Sequence, residues 1–165
     1  RDLHSFPTRR SSDLILKDSR TGAFAVIGFG LYLVASLALW SEAKSEMLPV
    51  IGAGYVMSRS LSGLSVMVFP SAKKDGLGRT FQEQAHRKRV AVVMVCWFFA
   101  ALAVMLMTSV QMGAAALCTA LLVFWYYHHM AMKQFGGMTG DLAGYFLQLA
   151  ELLILAAVIV AGGAL

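Results

Sequence analysis

Charge is scarce in this sequence. Asp, Glu, Lys and Arg make up 14% of its 165 residues, whereas a soluble domain carries about 25%. With a mean hydropathy of +0.67, that shortage excludes an ordinary water-soluble globule. Cysteine is almost absent too. Cys96 and Cys118 fall within apolar runs, form no disulfide framework and no metal spacing, and read as small buried hydrophobes. No CxxC, HExxH or Walker pattern occurs, and no Ser/His/Asp or Cys/His set stands out. Also missing is a cluster of three or four carboxylates, which a metal-dependent phosphotransferase uses to hold Mg²⁺. There is no internal repeat and no low-complexity segment.

What the chain does have is long apolar runs. They cover residues 23–40, 47–69, 90–107, 113–132 and the stretch from just after Asp141 nearly to Leu165. Each is long enough to cross a hydrocarbon core of about 30 Å. The pattern predicts an all-α fold: a polytopic integral membrane helical bundle with about five transmembrane helices, and no sequence left over for a soluble domain. Trp40 closes the first run, and Trp125, Tyr126 and Tyr127 stand near the end of the fourth, where aromatic residues meet the membrane surface. His128 and His129 follow them and read as part of that belt rather than as a metal site. The ten methionines are scattered through the runs and read as packing.

The few charges are not scattered. Lys17, Asp18 and Arg20 precede the first run. The only long loop, residues 71–89, holds Lys73, Lys74, Arg79, Arg87, Lys88 and Arg89 against Asp75 and Glu83. The two loops on the other side carry only Lys44 as a base. Positive charge collects on the cytoplasmic side of membrane proteins, so the first run starts inside and the C-terminus lies outside. The formal charge of +5 is thereby explained without nucleic acid as a partner.

Residues 1–14 stand apart. They read RDLHSFPTRRSSDL, polar and unlike all that follows, and from His4 onward they match one reading frame of a common sequencing-adapter oligonucleotide. We expect this segment to be an assembly scar, to be set aside in reasoning about the fold. Residues 15–165 then form the C-terminal part of a single membrane-embedded domain.

Three features carry chemistry. Gly136-Gly137-Met138-Thr139-Gly140-Asp141 places three glycines before the fifth run, where backbone can approach a ligand and free helix amides favour an anion. The plainer alternative is a tight turn with Asp141 as the helix N-cap. Asp141, Gln148 and Glu151 fall within about 80° of one another on one helical face. Glu151 lies inside an apolar run, where an ionisable group is costly and points to function; its alternative is a structural pair with Arg59, the only basic residue inside a run. Finally, Lys73, Lys74 and Arg79 flank Gly76 and Gly78, a combination suited to phosphate but also expected of any cytoplasmic loop facing lipid headgroups.

These residues bring a family to mind by their order. Lys17-Asp18-Ser19-Arg20-Thr21-Gly22 resembles the KDSR segment of cobalamin synthases, the adenosylcobinamide-GDP ribazoletransferases. Arg59, the stretch from Pro70 through Lys74 to Gly76-Leu77-Gly78, the Gly136–Asp141 segment, and Gly144 to Glu151 with Gln148 recur in that family's order. Ala25 departs from it, since glycine is frequent there. The resemblance implies a bacterial inner-membrane, multi-pass enzyme with a cytoplasmic active face. Its reaction joins adenosylcobinamide-GDP to α-ribazole or its 5′-phosphate, releases GMP and requires Mg²⁺. It further implies that Asp18, Ser19, Arg20, Arg59, Lys73, Lys74, Gly76, Gly78, Arg79, Gly136, Gly137, Thr139, Gly140, Gln148 and Glu151 bind substrate or phosphate. Asp141 would be catalytic, as a base or a further metal ligand, and the main acidic ligands would lie upstream of Ile15. The lipid bilayer is an expected partner, and a homo-oligomer stays open. Two other readings compete: a CDP-alcohol phosphotransferase acting on lipid, whose DG…AR…G…D…D signature is not seen, and a transport or structural subunit.

Overall fold

The computed structural model describes residues 22–71 and 86–163. Five α-helices fill nearly all of that span: α1 (Ala23–Glu42), α2 (Leu48–Val68), α3 (Arg87–Thr108), α4 (Val110–Phe135) and α5 (Gly140–Gly163), with a short 3₁₀ turn, Ser45–Met47, ahead of α2. The chain divides into two compact units, Arg1–Leu37 and Ala38–Leu165. In the first, the described residues are the start of α1, an apolar helix in which no residue is buried. The second contains α2 to α5 packed as a bundle.

Each helix of the bundle ends for a local reason. Pro49 sits in the first turn of α2, where its missing N–H costs nothing. Phe69 leaves the helix for an extended conformation (ψ 147°), as the ring of Pro70 requires of the residue before it. Helices α3 and α4 are separated by Ser109 alone, extended at φ −159°, whose hydroxyl accepts a hydrogen bond from the Met112 amide at 3.4 Å. The sequence had suggested a turn over residues 108–112. The tighter reversal is possible because Gly113 lies against the Met105 backbone, where a Cβ would come within 3.0 Å.

Small residues let the helices approach. A Cβ at Gly54 of α2 would lie 2.7 Å from Ile154 Cγ2 of α5, and one at Gly63 would lie 2.7 Å from Met94 Sδ of α3. Ala116, Ala120 and Ala131 of α4 are fully buried. Around them Met57, Met105, Tyr127, Phe146, Ile154 and Val158 complete one core. Close backbone approach through small residues is the usual source of stability where lipid is already apolar.

Four of the five helices are long and apolar enough to cross a membrane: α1, α3, α4 and α5. The exception, α2, reaches the same length but carries Arg59 and Ser58, Ser60, Ser62 and Ser65, and it buries more of its residues than any other helix. The four serines are all buried, and three of them bond carbonyls within α2. A helix enclosed by its neighbours does not need an apolar surface of its own. The outer faces tell the opposite story: Trp97, Phe99, Met107, Leu122 and Val160 are exposed, a surface suited to lipid and not to water. Cys96 and Cys118, expected to be buried, are exposed on those outer faces as free thiols. The fold is an all-α membrane bundle.

Candidate functional site

At one end of the bundle α2 and α4 finish and α3 and α5 begin. Arg87, the first residue of α3, donates from Nε and Nη2 to the Met67 carbonyl at 3.2 and 2.6 Å. Met138, buried between α4 and α5, donates its amide to the Pro70 carbonyl at 2.8 Å, and Ser71 pairs with it as a single parallel bridge. Pro70 and Ser71 thus lie against the Gly136–Asp141 turn.

The turn itself is built from backbone chemistry. Gly136 adopts the left-handed conformation (φ 68°, ψ 14°) that ends α4. Its amide and that of Gly137 both return to the Ala131 carbonyl, the latter at 3.1 Å. Thr139 then caps α5: its Oγ1 accepts from the Leu142 amide at 3.3 Å and its carbonyl from Ala143 at 3.1 Å. The N-cap is therefore Thr139 and not Asp141, which stands exposed in the first turn of α5. The amides of Gly136, Gly137 and Met138 are consumed internally. Those of Gly140 and Asp141 are left at the positive end of α5 with no partner among the described residues.

Deeper in the bundle, Arg59 of α2 forms an ion pair with Glu151 of α5 through Nη1 and Oε1. The same nitrogen donates to the Tyr55 carbonyl at 3.3 Å, and Ser58 Oγ donates to the same Glu151 oxygen at 3.4 Å. The structural pairing weighed from sequence is formed. Ser58 was missed there, although it directly precedes Arg59. Gln148 and Gly144 are exposed between Glu151 and Asp141 on α5.

Asp18, Ser19, Arg20, Lys73, Lys74, Gly76, Gly78 and Arg79 lie outside the described residues. Among the described ones, no three His, Cys, Asp or Glu side chains come together to hold a metal. His129 stacks on Trp125 (6.3 Å between rings) and His128 meets Phe69 edge-on (4.8 Å); Trp125 and Tyr126 are exposed, whereas Tyr127, expected beside them at the membrane surface, is buried in the core.

No solved structure matches this chain. Curated sequences do. The chain is 39% identical over 161 residues to an adenosylcobinamide-GDP ribazoletransferase of Lachnoclostridium phytofermentans, covering 98% of this chain and 62% of the relative. It is 33% identical over 155 residues to one of Syntrophobacter fumaroxidans, with 92% and 59% covered. A third, of Treponema denticola, is 30% identical over 154 residues, with 86% and 58% covered. The chain thus spans about 60% of the length of these relatives. The family profile described as cobalamin-5-phosphate synthase matches residues 5–159, and the chain belongs to that family.

Proposed function

We propose that the protein containing this chain is an adenosylcobinamide-GDP ribazoletransferase, forming adenosylcobalamin or its 5′-phosphate and releasing GMP. The family match over residues 5–159 carries this reading. The hydrogen bond from Met138 to Pro70 supports it, because it brings the end of α2 to the glycine turn and the N-terminus of α5. The CDP-alcohol phosphotransferase and transport readings have no comparable support.

In this reaction a ribazole hydroxyl attacks the corrinoid-side phosphorus in line. A new P–O bond forms, the pyrophosphate bridge breaks, and GMP leaves with the bonding electrons. Arg20, Lys73 or Lys74, and Arg79 neutralise phosphate charge. The amides of Gly140 and Asp141 at the start of α5 add a favourable field for an anion. Asp141 is exposed beside them and takes the hydroxyl proton. Mg²⁺ belongs to the reading as a cofactor, although among the described residues no three His, Cys, Asp or Glu side chains gather to hold it. The proposed setting is the bacterial inner membrane with this end of the bundle in the cytoplasm.

The test is release of GMP from adenosylcobinamide-GDP in the presence of α-ribazole or its 5′-phosphate. We expect Asp141→Ala to lower turnover by about a hundredfold or more, in the range of lost general-base catalysis. Unchanged turnover in Asp141→Ala would remove Asp141 from the mechanism. Absence of any product from the unaltered protein would remove the whole reading.

A further inference from the structure

Helix α3 is the least covered member of the bundle. Of its 22 residues only Ala101 and Met105 are buried, both in its second half. Those 22 residues rise about 33 Å, matching a hydrocarbon core of about 30 Å. Arg87, Lys88 and Arg89, in the first turn, therefore stand at the level of the lipid headgroups.

That turn is both anchored and cationic. Arg87 is held by the Met67 carbonyl, which fixes it against α2. Lys88 and Arg89 are exposed, with no hydrogen bond or ion pair to another described residue. Lys133, in the last turn of α4, brings a further exposed base to the same end of the bundle. Among the described residues, Asp141 is the one acid at this end. The bundle leaves this positive charge without a counter-charge of its own.

Beneath the bases the helix is apolar and open. Val92, Val95 and Phe99 follow Lys88 at four, seven and eleven residues, and Val93 and Cys96 follow Arg89 at four and seven. Helical spacing stacks each set in a row below its base. All five side chains are exposed, and no charged residue interrupts α3 after Arg89. Charge bias alone asks only that bases lie on this side of the membrane; here they stand directly over uncovered apolar rows. A soluble phosphate has no use for those rows, and a lipid without net charge gains little from the bases. A molecule with an anionic phosphate at one end and hydrocarbon at the other uses both.

We propose that the start of α3 is a docking surface for an anionic phospholipid. Its phosphate sits on Lys88 and Arg89, and an acyl chain lies along Val92, Val95 and Phe99. None of these residues has a part in the proposed reaction.

Trp97 reports on this surface directly. It is exposed on α3, about 12 Å below Arg89 at 1.5 Å per residue, among the acyl chains, where brominated lipid quenches its fluorescence on contact. A variant whose other tryptophans are phenylalanine is reconstituted into phosphatidylcholine bilayers. Brominated phosphatidylglycerol is mixed into one series and brominated phosphatidylcholine into the other. Brominated phosphatidylglycerol should reach the same quenching at an about fivefold lower mole fraction, the order that one base contributes near an anionic surface. Lys88→Gln/Arg89→Gln should abolish that preference while quenching by brominated phosphatidylcholine stays as it was. Lys88→Arg/Arg89→Lys keeps both charges and should keep the preference. Equal quenching by the two lipids before any change at Lys88 and Arg89 would overturn the proposal, as would a preference that survives Lys88→Gln/Arg89→Gln. Quenching by neither lipid would also overturn it, since this face of α3 would then be covered by protein.

Discussion

At the scale of single residues, the site depends on backbone conformation as much as on side-chain chemistry. Gly136 has φ of 68° and open space around a would-be Cβ, so its requirement for glycine is conformational and not steric. Gly136→Ala should therefore lower stability by about 1 kcal/mol, the cost of a left-handed L-residue, while Gly136→Asn should cost less. Thermal unfolding in one detergent would check this, and equal midpoints for all three proteins would contradict it. The glycine-rich turn was visible in the sequence, but its hydrogen bonding was not. Spacing alone allowed Asp141 to be the cap. The structure gives that role to Thr139, which leaves the Asp141 carboxylate without a partner among the described residues, in the exposed first turn.

At the scale of elements, the helices were legible because apolar runs of this length have few alternatives. Their ends shifted by a few residues where a cap or a close contact decided. What hydropathy could not give was which helix lies inside. Helix α2 is the one helix of the five that is not apolar enough to cross a membrane, yet it is the most enclosed, with three of its serines bonding its own carbonyls. Gly52 and Gly54, in its first two turns, make a paired test. A methyl at Gly54 would lie 2.7 Å from Ile154 Cγ2, which branches directly from Cβ and cannot swing aside, whereas Gly52 faces open space. Gly54→Ala should destabilise the bundle by about 1–3 kcal/mol through overpacking. Gly52→Ala should be neutral or stabilising by up to about 1 kcal/mol through helix propensity. The same loss in both variants would show that α2 and α5 do not pack as described.

At the scale of the whole molecule, orientation follows from charge and the position of the site follows from topology. Lys44 lies at the end of the bundle opposite the Gly136 turn, and Lys133 lies in the last turn of α4 next to it. In a variant with Cys96 and Cys118 replaced by alanine, Lys44→Cys should react with a membrane-impermeant maleimide added to intact spheroplasts. Lys133→Cys should react only after permeabilisation. The reverse pattern would invert the topology and move the proposed active face to the outside. The bundle also explains why the sequence pointed to residues such as Arg59 and Lys73 without relating them. Arg59 lies near the middle of α2, and Lys73 follows shortly after Ser71, the residue paired with Met138.

The sequence by itself determined the class of the molecule, its helices, its charge asymmetry and its family, because each depends on composition, run length or residue order. Tertiary structure alone decided that Pro70 meets Met138, that Glu151 takes both Arg59 and Ser58, and that the two cysteines face outward. These are contacts between segments separated by tens of residues. They are set by which small residues allow helices to approach, and helical periodicity carries no record of a partner's identity.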